Sequence, residues 1–485
     1  MEQKNIWNKY DAETLEKVNV LSDEYRSFLD QGKTERECID ETVEMIENAG
    51  YISLQKAIEE GRSLSVGDKV YYVHMNKSIA MFQIGTKPMT EGMNILGAHI
   101  DSPRVDVKQN PLYEDREFAY LDTHYYGGIK KYQWVAMPLA IHGVVVKKDM
   151  TTVIVNIGED EDDPVFFISD ILIHLAQEQM KKTAGQVING EAMDLIVGSR
   201  PLKIEASEDV DGAENASGKD SEKENKGPER DAVKKAVLEI LKQQYDIEEE
   251  DFLSAELEIV PAGKAREAGF DRSMILGYGQ DDRVCAFTSL KAMLDLGITE
   301  KTVCCLLVDK EEIGSVGATG MKSLFFENAV AELLELCGGY SDLALRRCLQ
   351  RSCMLSSDVS AAFDPLYASC FETKNAAFFG HGIVLNKFTG RGGKSGSNDA
   401  NAEYVAHLRS IFEKEDVSFQ TAELGKVDVG GGGTIAYVLA TYGMNVIDSG
   451  VPVLSMHAPW EATSKIDIYE AYRGYIAFAS DADLY

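Results

Sequence analysis

Five short stretches of the chain carry residue types that can hold a cation or move a proton. In "VDKEEIGSVG", residues 308 to 317, Glu311 and Glu312 stand side by side directly after the apolar run "TVCCLLV". Adjacent carboxylates repel, and the cost is smallest where a strong positive charge such as a metal ion neutralises one of them. In "NILGAHIDSPRVDV" His99 follows an apolar run, with Asp101 two residues on and able to orient the imidazole. "GYGQDDRVCAFTSL" sets Asp281 and Asp282 before a helical pattern, an arrangement that also describes an N-cap and a first-turn acid. "RSCMLSSDVSAAFDP" places Asp358 after another apolar run, and "VPVLSMHAPWEATS" places His457 after a third.

Each stretch alone has a structural reading: a histidine at a strand end, a capped helix, a solvated glutamate pair. Together they supply two histidines and at least three carboxylates at the expected carboxyl ends of strands on one side of a sheet, where α/β proteins build their sites. Nitrogen and oxygen ligands without thiolate suit a catalytic zinc, and manganese or cobalt can replace it in one site. Two such ions about 3.5 to 4 Å apart need a shared anionic bridge and an activated water. One glutamate of an adjacent pair can then bind metal while the other takes a proton from the water.

The elements that must position these residues alternate. "NILGAHI", "IHGVVVKKD", "TTVIVNIG", "TVCCLLV", "RSCMLSS" and "VPVLSMH" read as strands, many apolar enough to be buried on both faces. "DRVCAFTSLKAMLDLG" and "SNDANAEYVAHLRSIFEK" read as helices between some of them, so an α/β architecture follows. Residues 105 to 264 differ: a β-rich stretch is followed by a polar, acidic segment at 205 to 231, read as a loop. After it, "DAVKKAVLEILKQQY" sets Val233, Val237, Ile240 and Leu241 on one helical face. This region reads as an inserted domain.

Length and composition bound the rest. A chain of 485 residues suggests about two to four domains. No apolar run approaches the roughly 18 to 20 residues of a membrane span, and the polar, acid-bearing start resembles neither a secretory signal nor a transit peptide. A cytoplasmic protein is expected, with its eight scattered cysteines as buried free thiols. The net charge of −31, with no Lys/Arg cluster, argues against nucleic acid as a partner. "GRGGKSGSND" fails the phosphate-loop spacing because Phe388 stands where a glycine is required, and it reads instead as a loop lining a substrate pocket.

The ordered set "GAHIDSPR", "GQDDR", "DKEEIGS", "SSDVSAAFDP" and "SMHAPWE" resembles the aspartyl aminopeptidase and vacuolar aminopeptidase I family of dinuclear zinc exopeptidases, over the whole chain except the acidic loop. The resemblance implies a catalytic domain of the zinc exopeptidase type, with a central mixed sheet flanked by helices. Residues 1–104 and 265–485 would form it, interrupted by a β-rich dimerisation domain at 105–264. It implies that His99 and Asp358 bind one metal, that Glu312 and His457 bind the other, and that Asp282 bridges them. Glu311 becomes the general base, and Asp101 supports His99. His174, in "ISDILIHLAQEQ", would be donated across a dimer, whereas read alone it is an ordinary helix residue.

The implied reaction is removal of the N-terminal residue from peptides by two divalent ions, in a homo-oligomer, a dodecamer built from dimers. Members that take acidic residues place a lysine just after the "G-x-V-hydrophobic" run. Here "GIVLNKFTG" has Asn386 there and Lys387 next, which leaves acidic and neutral N-terminal residues both open. Two rival classes are an inactive member serving as an assembly protein and another two-metal amidohydrolase, such as a deacylase or carboxypeptidase.

Overall fold

The computed structural model describes residues 4–202 and 231–481; the acidic segment expected as a loop at 205–231 lies almost wholly outside the described residues. The chain divides into two compact units, one formed by Met1–Arg104, Tyr126–Ile129 and Gly263–Tyr485, the other by Val105–Tyr125 and Lys130–Ala262.

Among the described residues the first unit holds a nine-stranded mixed sheet and a five-stranded sheet. The large sheet runs Ile52–Ser53, Lys69–His74, Ser78–Gln83, Thr302–Val308, Met93–His99, Cys353–Ser356, Asn445–Gly450, Ile383–Asn386 and Phe419–Thr421 in spatial order. At its centre, Met93–His99 pairs in parallel with Thr302–Val308 on one side and Cys353–Ser356 on the other. These are the runs "NILGAHI", "TVCCLLV" and "RSCMLSS", and every residue in the three strands is buried.

Burial on both faces explains why these strands are continuously apolar rather than alternating. Val303, Cys305 and Leu307 enter one core with Tyr25, Phe28, Phe287, Tyr404 and Phe478, all carried on helices. Cys304, Leu306 and Val308 enter the opposite core with Phe325, Phe326, Val330 and Leu333 of the helix Phe325–Leu336. Each such aliphatic side chain contributes about 1.5–3 kcal/mol on full burial, so the centre of the sheet is a stiff platform for whatever leaves its strand ends.

The small sheet runs Arg266–Ala268, Met274–Gly277, Glu461–Ser464, Pro452–Leu454 and Ser360–Ala361. Met274–Gly277 leads through a turn into the helix Gln280–Asp295, whose first residues Asp281 and Asp282 keep non-helical backbone angles. The expected strand "VPVLSMH" stops at Leu454, because Ser455 and His457 both adopt left-handed φ values, 59° and 64°.

The second unit contains, among the described residues, a six-stranded sheet in the order Thr152–Ile157, Leu139–Val146, Ala255–Pro261, Arg104–Asp115, Phe118–Tyr126 and Leu195–Gly198. The helix Ala232–Tyr245 buries Val233, while Ile240, expected on the same apolar face, is about half exposed. Six of the eight cysteines are buried free thiols, as expected; Cys337 is partly buried and Cys370 is exposed. Among the described residues no helix is long and apolar enough to cross a membrane.

Candidate metal centre

Within the first unit, three central strands of the large sheet deliver four of the expected residues. His99 ends Met93–His99, Glu311 and Glu312 form a 3₁₀ turn just beyond Thr302–Val308, and Asp358 lies two residues beyond Cys353–Ser356. The remaining residues do not leave the same sheet, contrary to expectation. Asp281 and Asp282 follow a strand of the small sheet, and so does His457. The site is therefore assembled from two sheets, and the structure brings His99, Asp281, Glu311, Glu312, Asp358 and His457 around one cavity of about 630 Å³.

The tautomers of both histidines follow from their hydrogen bonds. His99 Nδ1–H donates to the Asp101 carbonyl oxygen at 2.9 Å, and His457 Nδ1–H donates to the Gly128 carbonyl at 3.0 Å. A carbonyl can only accept, so each Nδ1 carries the proton and each Nε2 turns to the cavity. There Asp281 meets both rings: Oδ1 is 3.1 Å from His99 Nε2 and Oδ2 is 3.1 Å from His457 Nε2. Asp281, not Asp282, thus stands between the histidines. The resemblance had put Asp282 in that place, but its Oδ2 accepts the His99 backbone N–H at 3.3 Å instead. His457 Nε2 also lies 3.3 Å from Glu312 Oε1, and Glu311 Oε2 lies 4.0 Å from His99 Nε2.

Ligand atoms of His99, Asp282 and Asp358 all fall within 4.8 Å of one another, as do those of His99, Asp281 and Glu312. Two buried groups of nitrogen and oxygen donors sharing a histidine fit divalent cations. The proton positions support the same fit. With Nδ1–H committed to a carbonyl, each Nε2 faces the Asp281 carboxylate at 3.1 Å, a contact that needs positive charge in the gap, supplied by a divalent cation or, without one, by a second ring proton.

The electrostatics describe a site with surplus negative charge. Burial pushes the carboxyls of Asp282, Glu312 and Asp358 well above their usual range, and neighbouring carboxylates add to it. Burial also pushes Glu311 up to about 7, with His99 opposing and Asp101 and Asp281 reinforcing the rise. For His457, burial opposes the charged ring, but Asp281 and Glu312 outweigh it and raise its pKa to about 10. Burial acts against the Asp281 carboxylate too, yet hydrogen bonds with His457 and His99 hold it below the ordinary range.

Asp101 does more than orient an imidazole. Its Oδ1 accepts the Glu311 N–H at 3.0 Å and its Oδ2 accepts the Glu312 N–H at 3.1 Å, so one buried carboxylate fixes the turn carrying both glutamates. Tyr126 Oη–H donates to the same Oδ2 at 2.8 Å. Sequence reasoning missed Tyr126 and Gly128, because both lie inside the stretch read as the insertion, yet Tyr126–Ile129 belongs to the first unit. A Cβ placed on Gly127 would stand 3.4 Å from Glu312, and one on Gly128 would stand 3.3 Å from His457 Nδ1, so the paired glycines let this segment pass close to both. His174 belongs to the second unit, exposed on a short 3₁₀ turn at Ile173–Leu175.

The fold and this arrangement define a metallopeptidase-type α/β protein, and comparison with known proteins gives the family. The family model for the aminopeptidase I zinc metalloproteases (M18) matches residues 28–479. A probable M18 family aminopeptidase 1 from Clostridium acetobutylicum is 57% identical over 480 residues, covering 99% of this chain and 98% of that protein. The crystal structure of the M18 aminopeptidase of Thermotoga maritima superposes with a TM-score of 0.90 at 41% identity, covering 99% of each chain. The structure of the mApe1 dodecamer of the yeast S. cerevisiae shares the fold, with a TM-score of 0.72 at 18% identity over 96% of this chain and 97% of that one. The chain belongs to the M18 aminopeptidase family and is an aminopeptidase of zinc-metalloprotease type.

Proposed function

We propose that the chain removes the N-terminal residue of peptides at a two-ion centre. His99 and Asp358 would hold one ion, with Asp282 beside them, and His457 and Glu312 the other. Asp281 takes the bridging place. The single observation that carries this reading is the Asp281 carboxylate with one oxygen 3.1 Å from the Nε2 of each histidine. When bound, zinc or a related divalent ion polarises the scissile carbonyl and lowers the pKa of water.

Glu311 supplies the general base. Its carboxylate shares the cavity with both histidines, and burial brings its pKa near neutrality, where a base can both take and return a proton. It accepts a proton from the attacking water and passes one to the nitrogen of the departing peptide. Asp101 holds Glu311 in place through the main chain.

The preference is assigned to neutral N-terminal residues. The cavity is lined by Asn386, Thr389, Leu424, Thr434, Tyr437 and Met456 around the metal-ligand set, with no Lys or Arg among its described lining residues. Asn386 Nδ2 donates to the Ala422 carbonyl at 2.9 Å, and Lys387 pairs with Asp399. An acidic side chain entering this pocket would find no lysine or arginine to pair with beside the two ions.

The second unit is assigned as the dimerisation module. It exposes Ile171, Leu172, Ile173, Leu175 and Met180 in a short stretch around His174, and a contiguous exposed apolar surface of this kind marks a protein contact. The S. cerevisiae mApe1 structure of the same fold is a dodecamer, which supports a dodecamer built from dimers here, with His174 reaching a neighbouring copy.

Hydrolysis of aminoacyl anilides bearing Leu, Met, Lys, Asp and Glu, with their N-acetylated counterparts, tests the reading in the presence and absence of chelator. Chelator-sensitive release from free-amine substrates, fastest for Leu and Met, is expected. Faster turnover of acetylated substrates would overturn the proposed reaction, and faster turnover of Asp and Glu the proposed preference.

A further inference from the structure

Glu461 is 1% exposed at the start of the strand Glu461–Ser464 and lines no part of the cavity. Its two carboxylate oxygens nonetheless both face the site's backbone. Oε2 accepts the Asp281 N–H at 3.0 Å and Oε1 accepts the His457 N–H at 2.7 Å. These two residues are remote in sequence, and neither has ordinary backbone geometry. Asp281 departs from helical angles at the head of its helix, and His457 has φ 64°, a left-handed value that side-chain-bearing residues disfavour.

The main chain of Glu461 is itself anchored. The Glu461 carbonyl accepts from Gln280 Nε2 at 2.6 Å, and Gln280 Oε1 accepts from Thr463 Oγ1 at 2.5 Å. The arrangement parallels Asp101, whose oxygens take the N–H groups of Glu311 and Glu312. Each half of the site is thus held by one buried acid gripping the main chain of two working residues. A neutral amide could not replace it, because its single oxygen accepts only one of the two N–H groups and its NH₂ confronts the other.

Resting on the two-ion reading, we infer that Glu461 is a positioning residue which sets the distance between Asp281 and His457 and thereby the affinity of the ion that they share with Glu312. It touches neither substrate nor ion. A purely structural role would lower stability without distinguishing one ion from the other.

The test is a zinc titration of the metal-free, full-length protein as wild type, Glu461→Gln and His457→Ala, together with steady-state kinetics. Glu461→Gln should keep one ion at wild-type affinity and bind the second about ten- to a hundredfold more weakly. Its kcat should fall at limiting zinc and recover with excess zinc while KM holds. Wild-type affinity for both ions in Glu461→Gln would overturn the inference. Two ions retained at wild-type affinity by His457→Ala would instead remove His457 from the ligand set on which the inference rests, and a single ion bound by wild type would overturn the two-ion reading itself. If Glu461→Gln does not fold, Glu461→Asp, one methylene too short to reach both N–H groups, is titrated with the same two outcomes. Hydrogen exchange of wild type gives an independent reading: the Asp281 and His457 amides should be protected, and exchange at free-amide rates would contradict the clamp.

Discussion

His99, Glu311 and Asp358 leave the ends of three adjacent parallel strands in the large sheet, whereas Asp281 and His457 stand on turns next to the small sheet. In the first half, position is inherited from a platform buried on both faces, and a single carboxylate, Asp101, adds the final fix. In the second half the strands leading to these residues are short and only partly buried. His457 occupies a left-handed backbone that costs on the order of 1–3 kcal/mol, and its N–H and that of Asp281 converge on Glu461. Strand ends place ligands cheaply; turns can place them where no strand ends, provided that buried acids hold the main chain.

The largest effect expected is on chemistry in the strand-built half. Glu311→Gln should lower kcat about 10²- to 10⁴-fold with metal content unchanged, measured by steady-state hydrolysis beside elemental analysis. Full activity in this variant would remove Glu311 as the base. Next comes the residue joining the halves: Asp281→Asn should weaken zinc binding about tenfold more than Asp282→Asn does, read by competition with a chromogenic chelator. The reverse order would return the bridge to Asp282.

Asp101→Asn should lower kcat about tenfold or more, because one of the two N–H groups at Glu311 and Glu312 loses its acceptor. A change confined to KM would show that the clamp serves substrate binding instead. The smallest effect is expected from Tyr126→Phe, which removes one hydrogen bond to the Asp101 carboxylate and should cost about 1.5–3 kcal/mol of stability in denaturant unfolding, with little change in kcat. A loss above about 3 kcal/mol would mark Tyr126 as a principal support, since a bond to a charged partner rarely exceeds that.

The same contrast decides what the sequence made legible. His99, Glu311, Glu312 and Asp358 could be read because an apolar run buried on both faces announces its own end, and a polar residue there has few places to go. The choice between Asp281 and Asp282 could not be read: the residues are identical in type, and which one turns toward the histidines depends on backbone angles at a turn. Glu461 was visible beside His457 but without a role, since its function lies in hydrogen bonds to main-chain groups that carry no residue signature. Tyr126 and Gly128 were hidden for a topological reason: a four-residue segment belongs to the first unit from within a stretch that otherwise forms the second.

Zinc titration of the metal-free wild-type protein, followed by calorimetry with turnover measured at each addition, tests the two-ion centre most directly. Two ions per subunit should bind, with full turnover only when both sites are filled. Saturation and full turnover at one ion per subunit would contradict the account.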